Sequence, residues 1–312
     1  MGRHAAGDAP EIDRLVDEAC SAIGAEIDAM RIPRLRGVVL GGGYGRGEGG
    51  VIGDALSNDL DFFVVTEEGE GEDTAESIAE ALKPVSEKWT GKLGVEVDFA
   101  VKTPWRLRHD QERVMVQELL HGYFDVAGVK GEALFAGIEK RSPEVFPWME
   151  AVRLLMNRGV GLLLAAEVGR SGGFAARNVN KCILGAGDAR LIARHKYHWK
   201  ATDRADALGD TLYCKAVEWK FRPRAEAVCD WETARTTWLE AETEVMNAEG
   251  SKTETGRSFY QAARWIARRK TLGELASFGQ TCELRVLKRL GRSIRMRRAL
   301  SDSLKRDWEI FN

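Results

Sequence analysis

Asp59-Leu60-Asp61 places two carboxylates two residues apart at the head of the apolar run Leu60 to Val65. In an extended strand, residues i and i+2 share a face, so both acids point the same way. Two like charges side by side at the end of a hydrophobic strand repel unless something neutralises them. A divalent cation does this simply, and carboxylate oxygens suit Mg²⁺ or Mn²⁺. A third acid comes from Val95-Glu96-Val97-Asp98-Phe99-Ala100-Val101, where the apolar residues alternate with Glu96 and Asp98. If this strand lies beside the first, Asp98 converges on Asp59 and Asp61. Three carboxylates around two metals then form a centre for phosphoryl transfer.

Upstream lies the glycine-rich stretch Val38-Val39-Leu40-Gly41-Gly42-Gly43-Tyr44-Gly45-Arg46-Gly47-Glu48-Gly49-Gly50. A P-loop would end in Gly-Lys-Ser/Thr, and no lysine occurs here, which removes that option. Gly45 to Gly50 formally satisfies GxGxxG, but a dinucleotide fold needs a helix after the loop and its acid at the end of the next strand. Here the following segment, "VIGDALSN", is short and turn-like, and the acids stand at the strand's start. A phosphate cradle made of backbone amides fits the acidic centre better. A merely flexible loop is the plain alternative.

Around these residues the periodicity predicts an ordered set of elements. Glu11 to Arg31 is a helix with Ile12, Leu15, Val16, Ala19 and Ile23 on one stripe. Strands follow at 36–40, 59–65 and 95–101, with a helix over the stretch from Thr74 to Trp89 between the last two. A helix from about Trp105 to His121 and a fourth strand in "GYFDVAGV" complete a mixed α/β unit, with a linker at "RSPEVFP". Beyond Pro147 only helical periodicity remains. The expected fold is therefore an α/β (α+β) domain with a small mixed sheet over residues 1–143, then an all-helical bundle over 144–312.

Composition narrows the class. The chain of 312 residues carries 46 basic and 48 acidic side chains, so its total charge does not call for a nucleic-acid partner. The charge is uneven: Ser251 to Asn312 holds 15 Lys and Arg against 6 Asp and Glu. The five cysteines are scattered, with no CxxC pair, against both a disulfide framework and a structural zinc. No apolar run reaches membrane-spanning length, and residue 6 is Ala where a myristoylation signal carries Ser or Thr. A cytoplasmic protein is expected, with no membrane partner and with homo-oligomerisation open.

The order of strand, G-G-Y-G-R-G loop, D-x-D strand, helix and single-Asp strand resembles the nucleotidyltransferase domain of the DNA polymerase β superfamily. The loop from Gly42 to Glu48 is especially similar to that of PII-protein uridylyltransferases, and Ser57-Asn58-Asp59-Leu60-Asp61 resembles the superfamily's S-D-x-D segment. The two-domain layout is similar to minimal and aminoglycoside nucleotidyltransferases. The resemblance spans roughly residues 35–140. The chain departs from it in a longer loop-to-DxD connection and in Gly43, where many relatives carry Ser.

The resemblance implies transfer of a nucleoside monophosphate from an NTP, with ATP expected, to a hydroxyl on a small molecule or a protein. Asp59, Asp61 and Asp98 would be catalytic and ligate two Mg²⁺ or Mn²⁺ ions. Gly42, Gly43, Tyr44, Arg46 and Ser57 would contact the nucleotide, with Arg46 leaning towards a brace against Glu48. In the bundle, Arg177 and Lys181 stand four apart on one helical face and are candidates for the triphosphate. Tyr197 reads as packed among helices, His195 and His198 lack a third ligand, and Trp199, Trp219, Trp231, Trp238 and Trp265 read as core or interface. Two other readings are a regulatory nucleotide-binding module of a toxin–antitoxin or defence system, and an enzyme modifying nucleic-acid ends, for which the basic carboxy-terminal segment speaks.

Overall fold

The computed structural model describes residues 3–248 and 283–309; the expectations for Trp265, for Cys282 and for the basic stretch before residue 283 lie outside them. The described chain is mixed α/β and mostly helical. It divides into two compact units, one of residues 1–141 with Lys220–Pro223, the other of 142–219 with 224–312. The division falls two residues before the expected boundary, and it assigns the short piece 220–223 to the first unit.

In the first unit, α1 (Pro10–Met30) leads to β1 (Leu35–Leu40), the one-turn α2 (Gly42–Gly45), and the pair β2 (Val51–Ile52) and β3 (Ala55–Leu56). Then come β4 (Leu60–Thr66), α3 (Glu72–Leu93), β5 (Val97–Lys102), α4 (Pro104–His109), α5 (Val114–His121), β6 (Phe124–Gly128) and α6 (Gly131–Leu134). The four longer strands form one sheet in the order β5-β4-β1-β6. β1 runs antiparallel to β4 and to β6, whereas β4 and β5 are parallel and joined across α3.

Helices cover both faces of this sheet, and the alternation along β4 shows how. Leu60, Phe62 and Val64 turn to the side of α1 and α3, where Ile12, Val16, Ile23, Ile78 and Leu82 are buried with them. Phe63 and Val65 turn to the other side, against Leu107, Val116, Leu119, Leu120 and Phe135. With both faces covered, the strand reads as a continuous apolar run, interrupted by Asp61 near its start. Each such buried side chain contributes about 1.5–3 kcal/mol of transfer free energy.

Two local expectations change. The helix foreseen from Trp105 to His121 is two helices, α4 and α5. The Arg106 guanidinium binds Asp110 at 2.6 Å just where α4 ends, and Thr103 caps the helix by accepting from the Arg106 N–H. The longer connection after the loop is a hairpin: β2 and β3 pair antiparallel across Gly53-Asp54, with Gly53 at φ 57°.

The second unit is helical throughout its described residues. α7 (Trp148–Glu167), α8 (Gly172–Ala193), α11 (Trp231–Asn247) and α12 (Glu283–Arg295) pack together, with α9 (Ala201–Leu208) and α13 (Asp302–Glu309) against them; α10 (Thr211–Phe221) ends in the piece counted with the first unit. Tryptophans tie the bundle through their indole N–H groups. Trp238 donates to the Leu155 carbonyl at 2.9 Å, Trp231 to Leu162 at 2.8 Å, and Trp148 to Val245 at 2.6 Å. Gly159 lets α7 approach closely, since a Cβ there would sit 2.4 Å from Leu290 Cδ2.

Candidate functional site

β1 ends at the buried Leu40, and the chain turns at once into the glycine loop. The Gly41 N–H donates to the Asp61 carbonyl at 2.8 Å, which extends the β1–β4 ladder by one bond. Gly42 then takes φ 60°, the left-handed region that a side chain disfavours. A Cβ on Gly42 would lie only 2.0 Å from Asp61 Oδ2, so the carboxylate occupies the space that glycine leaves open. Gly43 differs: its nearest neighbour would be the Glu48 carbonyl oxygen at 3.4 Å, which is ordinary contact. The loop therefore needs glycine at 42 for two reasons and at 43 for neither.

The parallel pairing of β4 with β5 sets Asp61 directly opposite Asp98, within the run from Leu60↔Val97 to Val65↔Lys102. Because opposed residues share a face, the sheet brings two of the three expected carboxylates together on the side that carries Phe63 and Val65. Asp59 precedes β4 by one residue and, like Asp61, is half-buried; Asp98 is exposed. The donor set is all carboxylate oxygen, the kind that suits Mg²⁺ or Mn²⁺. Among the described residues, no group of three or more His, Cys, Asp and Glu side chains is gathered closely enough to hold an ion.

Tyr44 lies beneath the loop and is fully buried. Its hydroxyl donates to the Gly50 carbonyl at 2.7 Å and accepts the Ser57 N–H at 3.1 Å. The ring packs against Gly49, where a Cβ would come within 2.1 Å. Burial, together with the charge on nearby Asp59, pushes the Tyr44 phenol up, so it stays protonated as a donor. This side chain ties the loop's end to the entry of the acidic strand. Asn58 Oδ1 adds a second tie by accepting the Gly50 N–H at 2.6 Å. Ser57 Oγ is buried and has no hydrogen-bond partner among the described residues.

Arg46 behaves as a brace. Its Nε stands 3.8 Å from Glu48 and its Nη1 3.3 Å from Glu118 on α5. Glu48 is only 2% exposed and receives Lys220 Nζ at 2.8 Å. The carboxylate thus lies between two cations, which lowers the cost of burying it.

The sequence reading did not foresee a strap at the back of the loop. Ala5 bridges to Gly49, with the Ala6 N–H donating to the Gly49 carbonyl at 2.8 Å and the Gly49 N–H to the His4 carbonyl at 3.0 Å. His4 is fully buried, its Nδ1 3.2 Å from the Tyr44 carbonyl and its Nε2 3.1 Å from Asp17. Asp13 fastens the strap by accepting the backbone N–H groups of Arg3, His4 and Ala5 at 2.7, 2.8 and 2.9 Å. Burial alone would raise the Asp13 carboxyl, but these three donors outweigh it and hold the group below its usual range. The one sequence signal for this was an Asp one turn into a helix that follows a short polar lead.

In the second unit, Arg177 and Lys181 are half-buried on α8, four residues apart. Tyr197 is packed as expected: 1% exposed, it meets Phe146 and Trp199 edge to face, and its hydroxyl accepts from Arg204 at 3.1 Å. His195 Nδ1 binds the Glu144 carbonyl at 2.9 Å. Trp231 and Trp238 are core residues, while Trp199 and Trp219 are half-buried. No protein-family profile matches this chain, and no curated protein matches it either. Among the described residues, no helix is long and apolar enough to cross a membrane.

Proposed function

We propose that the first unit is the catalytic part of a metal-dependent nucleotidyltransferase that moves an NMP from an NTP, with ATP expected, to a hydroxyl acceptor and releases pyrophosphate. One observation carries the reading: Asp61 stands opposite Asp98 in the β4–β5 ladder while Gly42, at φ 60°, leaves room for the Asp61 carboxylate against the loop. The loop backbone and the paired acids are thereby neighbours, which supports a phosphate cradle beside an acidic centre.

Asp61 and Asp98, opposed in the ladder, would supply the first carboxylates for a divalent ion. Asp59 would have to close in by side-chain rotation to join them, since the described geometry does not gather all three. When bound, such ions neutralise the triphosphate and make the acceptor hydroxyl easier to deprotonate. The hydroxyl oxygen attacks the α-phosphorus, the bond to the bridging oxygen breaks, and pyrophosphate leaves in line. Asp98, exposed at its strand, would take the hydroxyl's proton. The amides of Gly42 and Gly43 would face the β- and γ-phosphates, with glycine at 42 leaving the turn open to Asp61. Tyr44 and Arg46 keep that turn in shape, and Ser57 Oγ, without a hydrogen-bond partner among the described residues, stands at its edge.

The test is incubation of the protein with each α-labelled NTP, Mg²⁺ or Mn²⁺, and a cell extract. Label in a small molecule, a protein or RNA names the acceptor. Asp59→Ala and Asp61→Ala should each abolish transfer; unchanged transfer would remove the metal-site assignment. Absence of NTP binding in the presence of metal would sink the proposal and favour neither alternative that retains a nucleotide.

A further inference from the structure

The end of the second unit carries a groove of about 510 Å³ lined by Arg285, Lys288, Arg289 and Arg292 of α12 and by Ser303 and Asp307 at α13. α12 is sharply two-sided. Leu284, Val286, Leu287, Leu290 and Ile294 are buried in the bundle, and the basic residues occupy the opposite face. Several cations nearby have partners: Arg295 binds Glu242, Arg297 binds Glu232 at 3.0 Å, and Arg289 binds Asp307 and donates to Ser303 Oγ at 2.9 Å. Arg285, Lys288 and Arg292 are exposed and pair with no carboxylate among the described residues.

These three recur along one face across seven residue steps, Arg285 to Arg292, or about 10 Å of helix at 1.5 Å per residue. That length exceeds a single phosphate and suits a run of regularly spaced negative charges. The lining includes no apolar side chain. A docked protein segment needs an apolar centre to its interface, whereas nucleic-acid interfaces are polar and strongly positive. Membrane insertion likewise needs an apolar face that this groove lacks.

We infer that the α12–α13 groove binds the phosphodiester backbone of a polynucleotide through Arg285, Lys288 and Arg292, with Arg289 held in place by Asp307. Binding of this kind positions a strand without reading its bases, because the contacts go to phosphates. It is independent of the transfer reaction proposed for the first unit.

The experiment uses the full chain and fluorescein-labelled 20-mers of RNA, single-stranded DNA and duplex DNA, followed by anisotropy at 50 and 200 mM NaCl. Three phosphate contacts predict a logarithmic salt slope of about −2 for single strands, so affinity should fall roughly 15–20-fold over that range. The relative affinity of the three strands identifies the natural form. Arg285→Glu, Lys288→Glu and Arg292→Glu together should weaken binding more than tenfold at 50 mM and flatten the slope. The Gln triple variant should fall between, with an unchanged far-UV circular dichroism spectrum showing that the fold is kept. The inference fails if the wild type binds no strand, or if the Glu triple variant binds with unaltered affinity and slope. It also fails if polyglutamate or inorganic triphosphate displaces the strand at equal charge, which would make the partner an acidic protein or a small phosphate.

Discussion

Substituting Gly42 by Ala tests the loop and the acidic strand at once. The residue sits at φ 60°, where a Cβ costs about 1–2 kcal/mol. The new methyl would also lie 2.0 Å from Asp61 Oδ2, well inside contact distance, so the carboxylate must swing away by an ångström or more. Forcing that side chain off its rotamer adds about 0.5–1.5 kcal/mol. Reduced freedom of the unfolded chain returns about 0.4–1 kcal/mol. The net is a destabilisation of about 1–3 kcal/mol. Gly43→Ala is the matched control, because its Cβ would meet nothing nearer than 3.4 Å and its φ is not left-handed. It should be neutral or stabilising by about 0.4–1 kcal/mol. Urea titration by circular dichroism reads both, and with a slope of about 2 kcal/mol per molar, Gly42→Ala should shift the midpoint down by about 0.5–1.5 M. For the proposed transfer reaction, displacing Asp61 by 1 Å should cost about 10²-fold in rate, while Gly43→Ser should retain the rate. Equal midpoints for Gly42→Ala and Gly43→Ala would refute the reasoning, whatever the activity.

Tyr44→Phe should destabilise the protein by about 1–3 kcal/mol in the same titration, since it leaves the Gly50 carbonyl and the Ser57 N–H without their shared hydroxyl. Glu48→Gln should cost about 3 kcal/mol, because Arg46 and Lys220 lose the buried carboxylate between them. The strap's attachment should depend on pH through Asp13. Its carboxyl is depressed in the folded state, so its contribution is complete above the ordinary Asp value of about 3.9 and is lost as pH falls through the lower folded value. The protection factors of the strap amides, taken against intrinsic exchange at the same pH, should therefore fall below about pH 4, and in Asp13→Asn they should already be low at pH 6. Burial pushes the Cys20 thiol up to about 12, so it should resist alkylation by iodoacetamide at pH 8 in the native protein and react after unfolding.

Much of the first unit was legible because its signals are short-range. β4 announces itself by an unbroken apolar run, and β5 by clean alternation, and both lie within a residue or two of where the pattern puts them. The pairing of Asp61 with Asp98 was inferred only conditionally, since strand adjacency is a tertiary fact that alternation alone does not give. The break between α4 and α5 escaped because both halves keep helical periodicity; α4 stops at Asp110, whose carbonyl accepts the Arg113 N–H at 2.8 Å across the turn before α5. The strap escaped for a related reason. His4 and Asp17 are thirteen residues apart and carry no motif, yet together with Asp13 they anchor the chain behind the loop. Lys220 reaches Glu48 across 172 positions of sequence, beyond any local pattern.

The parallel β4–β5 pair has a consequence for engineering. The two strands are joined through an exposed acidic turn in which Gly69, at φ 83°, has open space around it. A chain cut there yields one fragment with Asp59 and Asp61 and another with Asp98. Neither fragment holds the full set of acids, and only zipping of the ladder reunites them. Fused to two proteins that meet in a cell, the halves would report that encounter by re-forming the β4–β5 ladder: a split pair whose seam the fold already supplies.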